Sequence, residues 1–168
     1  LFRSYNSATK EPYLLPVDIT GKNIRLGISL AELYKELATY PVKGAYVFLD
    51  ACFSGGYKSA APLLAQKGVR VVPKVGLPQG NTLSFSSSSG DQTSSVYHDK
   101  KQGYYTYFLI KTIKDAKGNL SMKELFEKTS AAVKKATAMI GKIQEPQCMV
   151  SPTWTEWENL RLETQMEE

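Results

Sequence analysis

The chain predicts an α/β fold in which helices cover both faces of a mainly parallel central sheet. Three observations lead there: apolar runs of strand length, amphipathic segments of helix length that carry their own capping signals, and the alternation of the two along the chain. A length of 168 residues suits one domain. Hydrophobic residues at 42% are enough for a packed core and exclude a disordered or collagenous polymer.

The first helix is predicted from Ser29-Leu30-Ala31-Glu32, a capping box in which the serine hydroxyl takes an orphan N–H and the glutamate reaches back. Leu30, Leu33, Tyr34 and Leu37 then share one face, and the helix should stop before Pro41. Ala45-Tyr46-Val47-Phe48-Leu49 follows as a continuous apolar run, the pattern of a strand covered on both faces. Val69–Val72 and Thr82–Ser86 read as two more strands. From Ser84 to Ser95 the chain holds seven serines with Gly90, Asp91, Gln92 and Thr93, a composition that by itself also fits a flexible polar linker. Gly103 opens a second helix with Tyr105, Phe108, Leu109, Thr112 and Ile113 on one face, and Gly118 terminates it. A second capping box, Ser121-Met122-Lys123-Glu124, starts a third helix that runs to about Ile140 and buries Met122, Leu125, Phe126, Val133 and Ala136. Trp154 and Trp157, set among Thr153, Thr155 and Glu156, read as part of a late strand packed on the core, a more economical reading than a binding platform.

Twenty-one Lys and Arg against 16 Asp and Glu leave a net charge of +5, spread without a run of five or six like charges. No basic stripe marks a nucleic-acid site, and the apolar runs are far shorter than the ~18 residues of a membrane-spanning helix, so neither partner is expected. Two cysteines, Cys52 and Cys148, make no disulfide framework or zinc motif and read as free thiols of a reducing, cytoplasmic compartment.

Ligands of parallel α/β sheets sit at the carboxyl ends of the strands, where loops converge. Leu49-Asp50-Ala51-Cys52-Phe53-Ser54-Gly55-Gly56 occupies such an end. A thiol there, followed by two glycines that permit close backbone approach, suits a nucleophile; an inert buried cysteine fits the position equally well.

Three blocks carry a family resemblance. Val47 to Gly56 resembles the nucleophile strand of the caspase and metacaspase-like cysteine peptidases, particularly their bacterial members. Ser87-Ser88-Ser89-Gly90-Asp91-Gln92-Thr93-Ser94-Ser95, with Gly103 to Leu109 after it, is similar to the family's substrate-binding strand, loop and following helix. Pro12-Tyr13-Leu14-Leu15-Pro16-Val17-Asp18 resembles the segment that follows its catalytic histidine. The resemblance implies a caspase-like three-layer α/β/α sandwich and a Cys–His dyad endopeptidase acting on peptide or protein substrates. Cys52 would attack the scissile carbonyl to form a thioester acyl-enzyme, histidine would move the proton, and backbone N–H groups, that of Cys52 included, would hold the oxyanion.

One departure stands out. The single histidine, His98, lies after the cysteine in a charged stretch and reads as a solvated loop residue. The family's histidine falls roughly 50 residues upstream of the cysteine, at or just before Leu1. Residues 1–168 are therefore expected to be the larger part of a caspase-like domain, lacking the N-terminal strand or strands and the histidine segment. An upstream fragment would be its partner, as in family members that work after being cut into associated pieces. Alone, the chain should be nearly inactive.

By the same resemblance, an aspartate two residues before the cysteine implies cleavage after Arg or Lys, because a carboxylate in a low-dielectric pocket pairs with a cation. Asp50 would be that carboxylate, with a structural hydrogen bond at the strand end as its alternative. Asp91 is a second candidate, and Ser87, Thr93 and Ser94 would offer hydroxyl or main-chain contacts to an extended peptide. No cofactor is expected, and no Asp-rich loop predicts the calcium dependence of some metacaspases. From a different class, a non-catalytic peptide-binding domain on the same scaffold also fits the residues.

Overall fold

The computed structural model describes residues 2–6, 8–16, 18–19, 21–51, 76–89 and 92–162. Cys52, Asp91 and the predicted strand Val69–Val72 lie outside the described residues. Eight strands and three α-helices are seen among them: β1 Phe2–Tyr5, β2 Pro12–Leu15, β3 Ile28–Ser29, α1 Leu30–Leu37, β4 Ala45–Leu49, β5 Thr82–Ser86, β6 Val96–Tyr97, β7 Gln102–Gly103, α2 Tyr104–Asp115, α3 Met122–Ala138 and β8 Gln147–Val150.

The central described sheet has the order β4-β5-β8. Strands β4 and β5 run parallel in a register that places Val47 beside Ser84 and Phe48 beside Phe85. Strand β8 is antiparallel to β5, with Cys148 opposite Phe85. The described sheet is thus mixed, one pair of each kind, where a mainly parallel one is expected. A smaller antiparallel sheet, β1-β2-β3, precedes α1. The residues of β2 carry the family resemblance, but the strand itself has only four residues and no alternation that announces it.

Period-2 alternation divides the sheet between two cores. Leu83 and Phe85 of β5 turn to one face and form, with Tyr105, Leu120, Met122, Leu125, Val133 and Trp154, the core under α2 and α3. Val47 and Leu49 of β4, with Ala51, turn to the other, where Leu30 and Tyr34 of α1 cover them. Helices on both faces make the three-layer α/β/α arrangement the sequence predicts. Phe48, Phe85 and Phe126 join sheet to α3 as a row of rings with centroids 5.5 and 5.0 Å apart. Coverage of β4 is incomplete, since Phe48 keeps 37% of its surface exposed.

Capping sets the helix starts. Ser29 Oγ accepts the Glu32 N–H at 3.4 Å at the start of α1. At α3 the capping box is complete: Ser121 Oγ accepts the Glu124 N–H at 3.2 Å, and Glu124 Oε2 accepts the Ser121 N–H at 2.8 Å. That backbone N–H is the main reason the Glu124 carboxyl is held below its usual range.

Two expectations need correction. The Trp154–Trp157 segment is not a strand; the last strand is β8, just before it. Ser151 N–H gives the final ladder bond to the Thr82 carbonyl at 3.0 Å, and Pro152 then offers no N–H to continue. A turn follows, closed by the Trp154 N–H on the Ser151 carbonyl at 3.0 Å, and Trp157 opens a 3-10 turn, Trp157–Asn159. Trp154 nevertheless packs in the core, its ring 6.1 Å from that of Tyr46. As far as Ser88 the serine-rich stretch is likewise no open linker. Every residue from Thr82 to Ser88 is buried, because β5 is flanked by a strand on each side and by helices above and below.

Leu125 is completely buried in the α2/α3 core, so Leu125→Ala should lower unfolding stability by about 2–5 kcal/mol in urea titration. Met139→Ala, at an 81% exposed position, should change it by less than about 0.5 kcal/mol.

Candidate functional site

Strand β4 delivers Leu49, Asp50 and Ala51 to the carboxyl end of the parallel pair. The first bond that holds them continues the β4–β5 ladder one residue past β5: Ser87 N–H donates to the carbonyl of Leu49, the last residue of β4, at 2.9 Å. Asp50 follows, on the α2 side of the sheet. Its Oδ2 accepts the Thr106 N–H at 3.2 Å and the Thr106 hydroxyl at 2.6 Å. Thr106 is the third residue of α2, so the carboxylate of another element satisfies one of the helix's orphan donors and lies at the positive end of its dipole. Gly103, the N-cap of α2, makes room for this. A Cβ there would collide with Asp50 Oδ2 and come within 2.8 Å of Asp50 Cγ.

The segment from Ser87 to Ser95 leaves the end of β5 and returns to β6. Ser87 is completely buried. Its hydroxyl meets that of Ser94 across the neck of the loop. The neck is closed by Gln144, which follows α3 and is only 1% exposed. Its Nε2 donates to the Ser87 carbonyl at 3.0 Å, and its Oε1 accepts the Ser95 N–H at 2.8 Å. The next residue repeats the device at the surface. Glu145 N–H donates to Gln92 Oε1 at 2.7 Å, and Gln92 Nε2 donates to Glu145 Oε2 at 3.0 Å. The Ser95 carbonyl in turn accepts the Tyr104 N–H at 3.1 Å at the start of α2.

These bonds close a circuit. It runs from Leu49 to Ser87, through Gln144 to Ser95, on to Tyr104 and Thr106, and through Asp50 back to β4. Five separate pieces of chain are thereby held around the end of one strand.

The predicted site residues divide accordingly. Asp50, Ser87 and Ser94 are brought together, and Asp50 makes the structural hydrogen bond that the sequence allows as its alternative role. Its Oδ1 accepts no bond from any described residue. Thr93 is exposed on the loop. Cys52 directly follows Ala51 in sequence and, like Asp91, lies outside the described residues. His98 is exposed in the 3-10 turn that joins β6 to β7, Lys101 N–H closing the turn on its carbonyl at 3.1 Å. Sequence reasoning misses Gln144 and Thr106. For Thr106 a polar residue in the first turn of a helix that begins with Gly is a usable signal; Gln144 has none, since its importance arises only where α3 ends.

The second cysteine belongs to the core. Cys148 packs under α2 and α3, and its thiol is pushed up to about 11, first by burial and then by the Glu158 carboxylate. Burial, with Asp50 and Cys148 adding to it, also raises the Tyr105 phenol. Among the described residues no group of three or more His, Cys, Asp and Glu side chains is placed to hold a metal, and no helix is long and apolar enough to cross a membrane.

A family model described as the caspase domain matches residues 4–155 of the chain. No curated protein matches it.

Two outcomes test the geometry. Gly103→Ala should displace the Asp50 carboxylate and lower stability by about 1–3 kcal/mol in urea titration, with faster exchange of the Thr106 amide. Cys148 should react with iodoacetamide at pH 8 roughly a hundredfold more slowly in the native protein than in the unfolded chain, given a shift from 9.0 to about 11. The gap should narrow as the pH is raised toward 11, where the native thiol also ionises.

Proposed function

Because this chain belongs to the caspase-domain family of cysteine peptidases, we propose that it is the larger part of an endopeptidase in which Cys52 is the nucleophile. What supports this is the residue run that leads into Cys52. Leu49-Asp50-Ala51 stands at the carboxyl end of a parallel strand pair, bonded on one side to a loop and on the other to a helix N-terminus.

In the proposed reaction the Cys52 sulfur attacks the peptide carbonyl. The C–N bond breaks as the amine leaves with a proton, and water then hydrolyses the thioester to release the acid and the free thiol. The acid–base group is a histidine supplied by polypeptide outside these 168 residues, since His98 sits exposed on a turn between two short strands. Delivery of that imidazole makes the second piece of polypeptide an obligatory partner. No metal or organic cofactor enters any step.

The substrate is an extended peptide lying along the loop that follows β5. Asp50, whose Oδ1 accepts no bond from a described residue, pairs with its basic side chain, and Thr93, exposed on the loop, is the hydroxyl residue open to contact it. Asp91 adds charge of the same sign. Ser87 and Ser94 frame the wall from inside, their hydroxyls being turned to each other. Cleavage after Arg or Lys follows from this acidic lining, and an acidic side chain would meet two carboxylates instead of a cation.

The test uses the polypeptide that carries this chain together with its histidine. Peptidyl-Arg amides should be hydrolysed at least tenfold faster than the matching Asp amides, and a peptidyl-Arg chloromethylketone should label the wild type but not Cys52→Ala. Equal hydrolysis of both amides overturns the specificity, and full activity of Cys52→Ala overturns the nucleophile.

A further inference from the structure

Gln144 is a buried polar side chain to which neither the sequence pattern nor the family match gives a task, yet it closes the circuit around the candidate site. At 1% exposure its amide has left water, and both halves of it are satisfied by main chain: Nε2 by the Ser87 carbonyl at 3.0 Å, Oε1 by the Ser95 N–H at 2.8 Å. The two partners settle which end is oxygen and which nitrogen, because a carbonyl only accepts and an N–H only donates. The side chain acts as a stretch of strand would, pairing with the two feet of a loop that otherwise have no mutual ladder. Removing it leaves a buried N–H and a buried C=O without partners, an unfavourable state that the loop relieves by opening to water.

We infer that Gln144 is a positioning residue for the substrate-binding loop: it holds Ser87 and Ser95 at a fixed separation, so that the loop between them presents a preformed edge to the peptide. The inference rests on the proposed peptide-binding role of that loop. It assigns Gln144 no contact with substrate and no part in the bond-breaking steps. Its influence is on how much of the protein has the loop ready, and therefore on peptide affinity more than on the rate at bound substrate. Gln92 and Glu145 hold the same loop at the surface, where water can replace each bond, so they should matter less.

The experiment compares wild type with Gln144→Ala, Gln144→Glu and Val133→Ala, all in the polypeptide that carries this chain and its histidine. Val133→Ala is the control for general destabilisation, since it opens a cavity in the α2/α3 core without touching the loop. Two readouts are taken: hydrogen exchange at the Ser95 amide, and kcat and KM for a peptidyl-Arg amide. Gln144→Ala should exchange Ser95 at least tenfold faster and raise KM about tenfold with kcat changed less than threefold. Gln144→Glu, which keeps the acceptor for Ser95 but in its ionised form loses the donor to Ser87, should fall between it and wild type on both readouts. Val133→Ala should lower the unfolding midpoint while leaving KM within twofold. An unchanged KM in Gln144→Ala, or a KM rise in Val133→Ala as large as in Gln144→Ala, overturns the inference while leaving the peptidase reading intact. A wild type that hydrolyses no peptide overturns the peptidase reading and the substrate role of the loop with it.

Discussion

The hydrogen bond from the Ser87 N–H to the Leu49 carbonyl, 2.9 Å long, is the constraint on which the rest of the site depends. In a parallel pair the ladder must end somewhere, and the chains normally diverge there into separate loops. Here the last residue of β4 still bonds the first residue after β5, so the segment entering Cys52 and the loop leaving β5 begin side by side. Every other bond of the circuit elaborates that adjacency. Asp50, next after Leu49, accepts the Thr106 N–H of α2, and the Ser95 carbonyl takes the N–H of Tyr104, the first residue of that helix.

Such an arrangement places much polar surface out of reach of water. Thr82, Ser84 and Ser86 are buried in β5, whose opposite face is plain hydrocarbon, and Ser87, Ser88 and Ser95 are buried in the loop that follows it. Buried hydroxyls and main-chain groups are tolerable only when paired, and at the loop neck most are. The pairing is not complete. The Tyr34 and Ser84 hydroxyls are buried neighbours between α1 and the sheet, neither of which meets hydrogen-bond geometry with a described partner. Burial raises the Tyr34 phenol, and the nearby serine lowers it in part. A serine-rich strand thus serves a packed fold because its small side chains let α1 approach one face while Leu83 and Phe85 supply the hydrophobic contact on the other.

Much of this was legible in the residues. The helices carry their own punctuation: Ser29 and Ser121 start two of them, Gly103 begins the third, and Gly118 lies just past its end with a φ of 75°. Strand β4 and strand β5 show in their apolar or β-prone runs. What could not be read locally depends on neighbours distant in sequence. The serines after β5 compose a linker on paper, yet Ser87 and Ser95 are buried and bonded to Gln144, about 50 residues on. Trp154 and Trp157, three residues apart, would fall on opposite faces of a strand, and Pro152 ends the ladder before they can join it. Strand β8, with four residues after Pro146, is defined by its partner β5 and not by its own pattern. Asp50 illustrates the limit at the site: its charge and place at a strand end are visible in the sequence, but its bond to Thr106, 56 residues on, is a product of the fold.

The chemical claim that the scaffold serves is that a sulfur at position 52 becomes acylated during turnover. Acid quenching of the histidine-bearing polypeptide during hydrolysis of a peptidyl-Arg ester, followed by peptide mapping by mass spectrometry, measures this directly. The account predicts an acyl group of the substrate's mass on Cys52 and none on Cys148. An adduct on Cys148 alone, or rapid turnover with no adduct on any thiol, would contradict it.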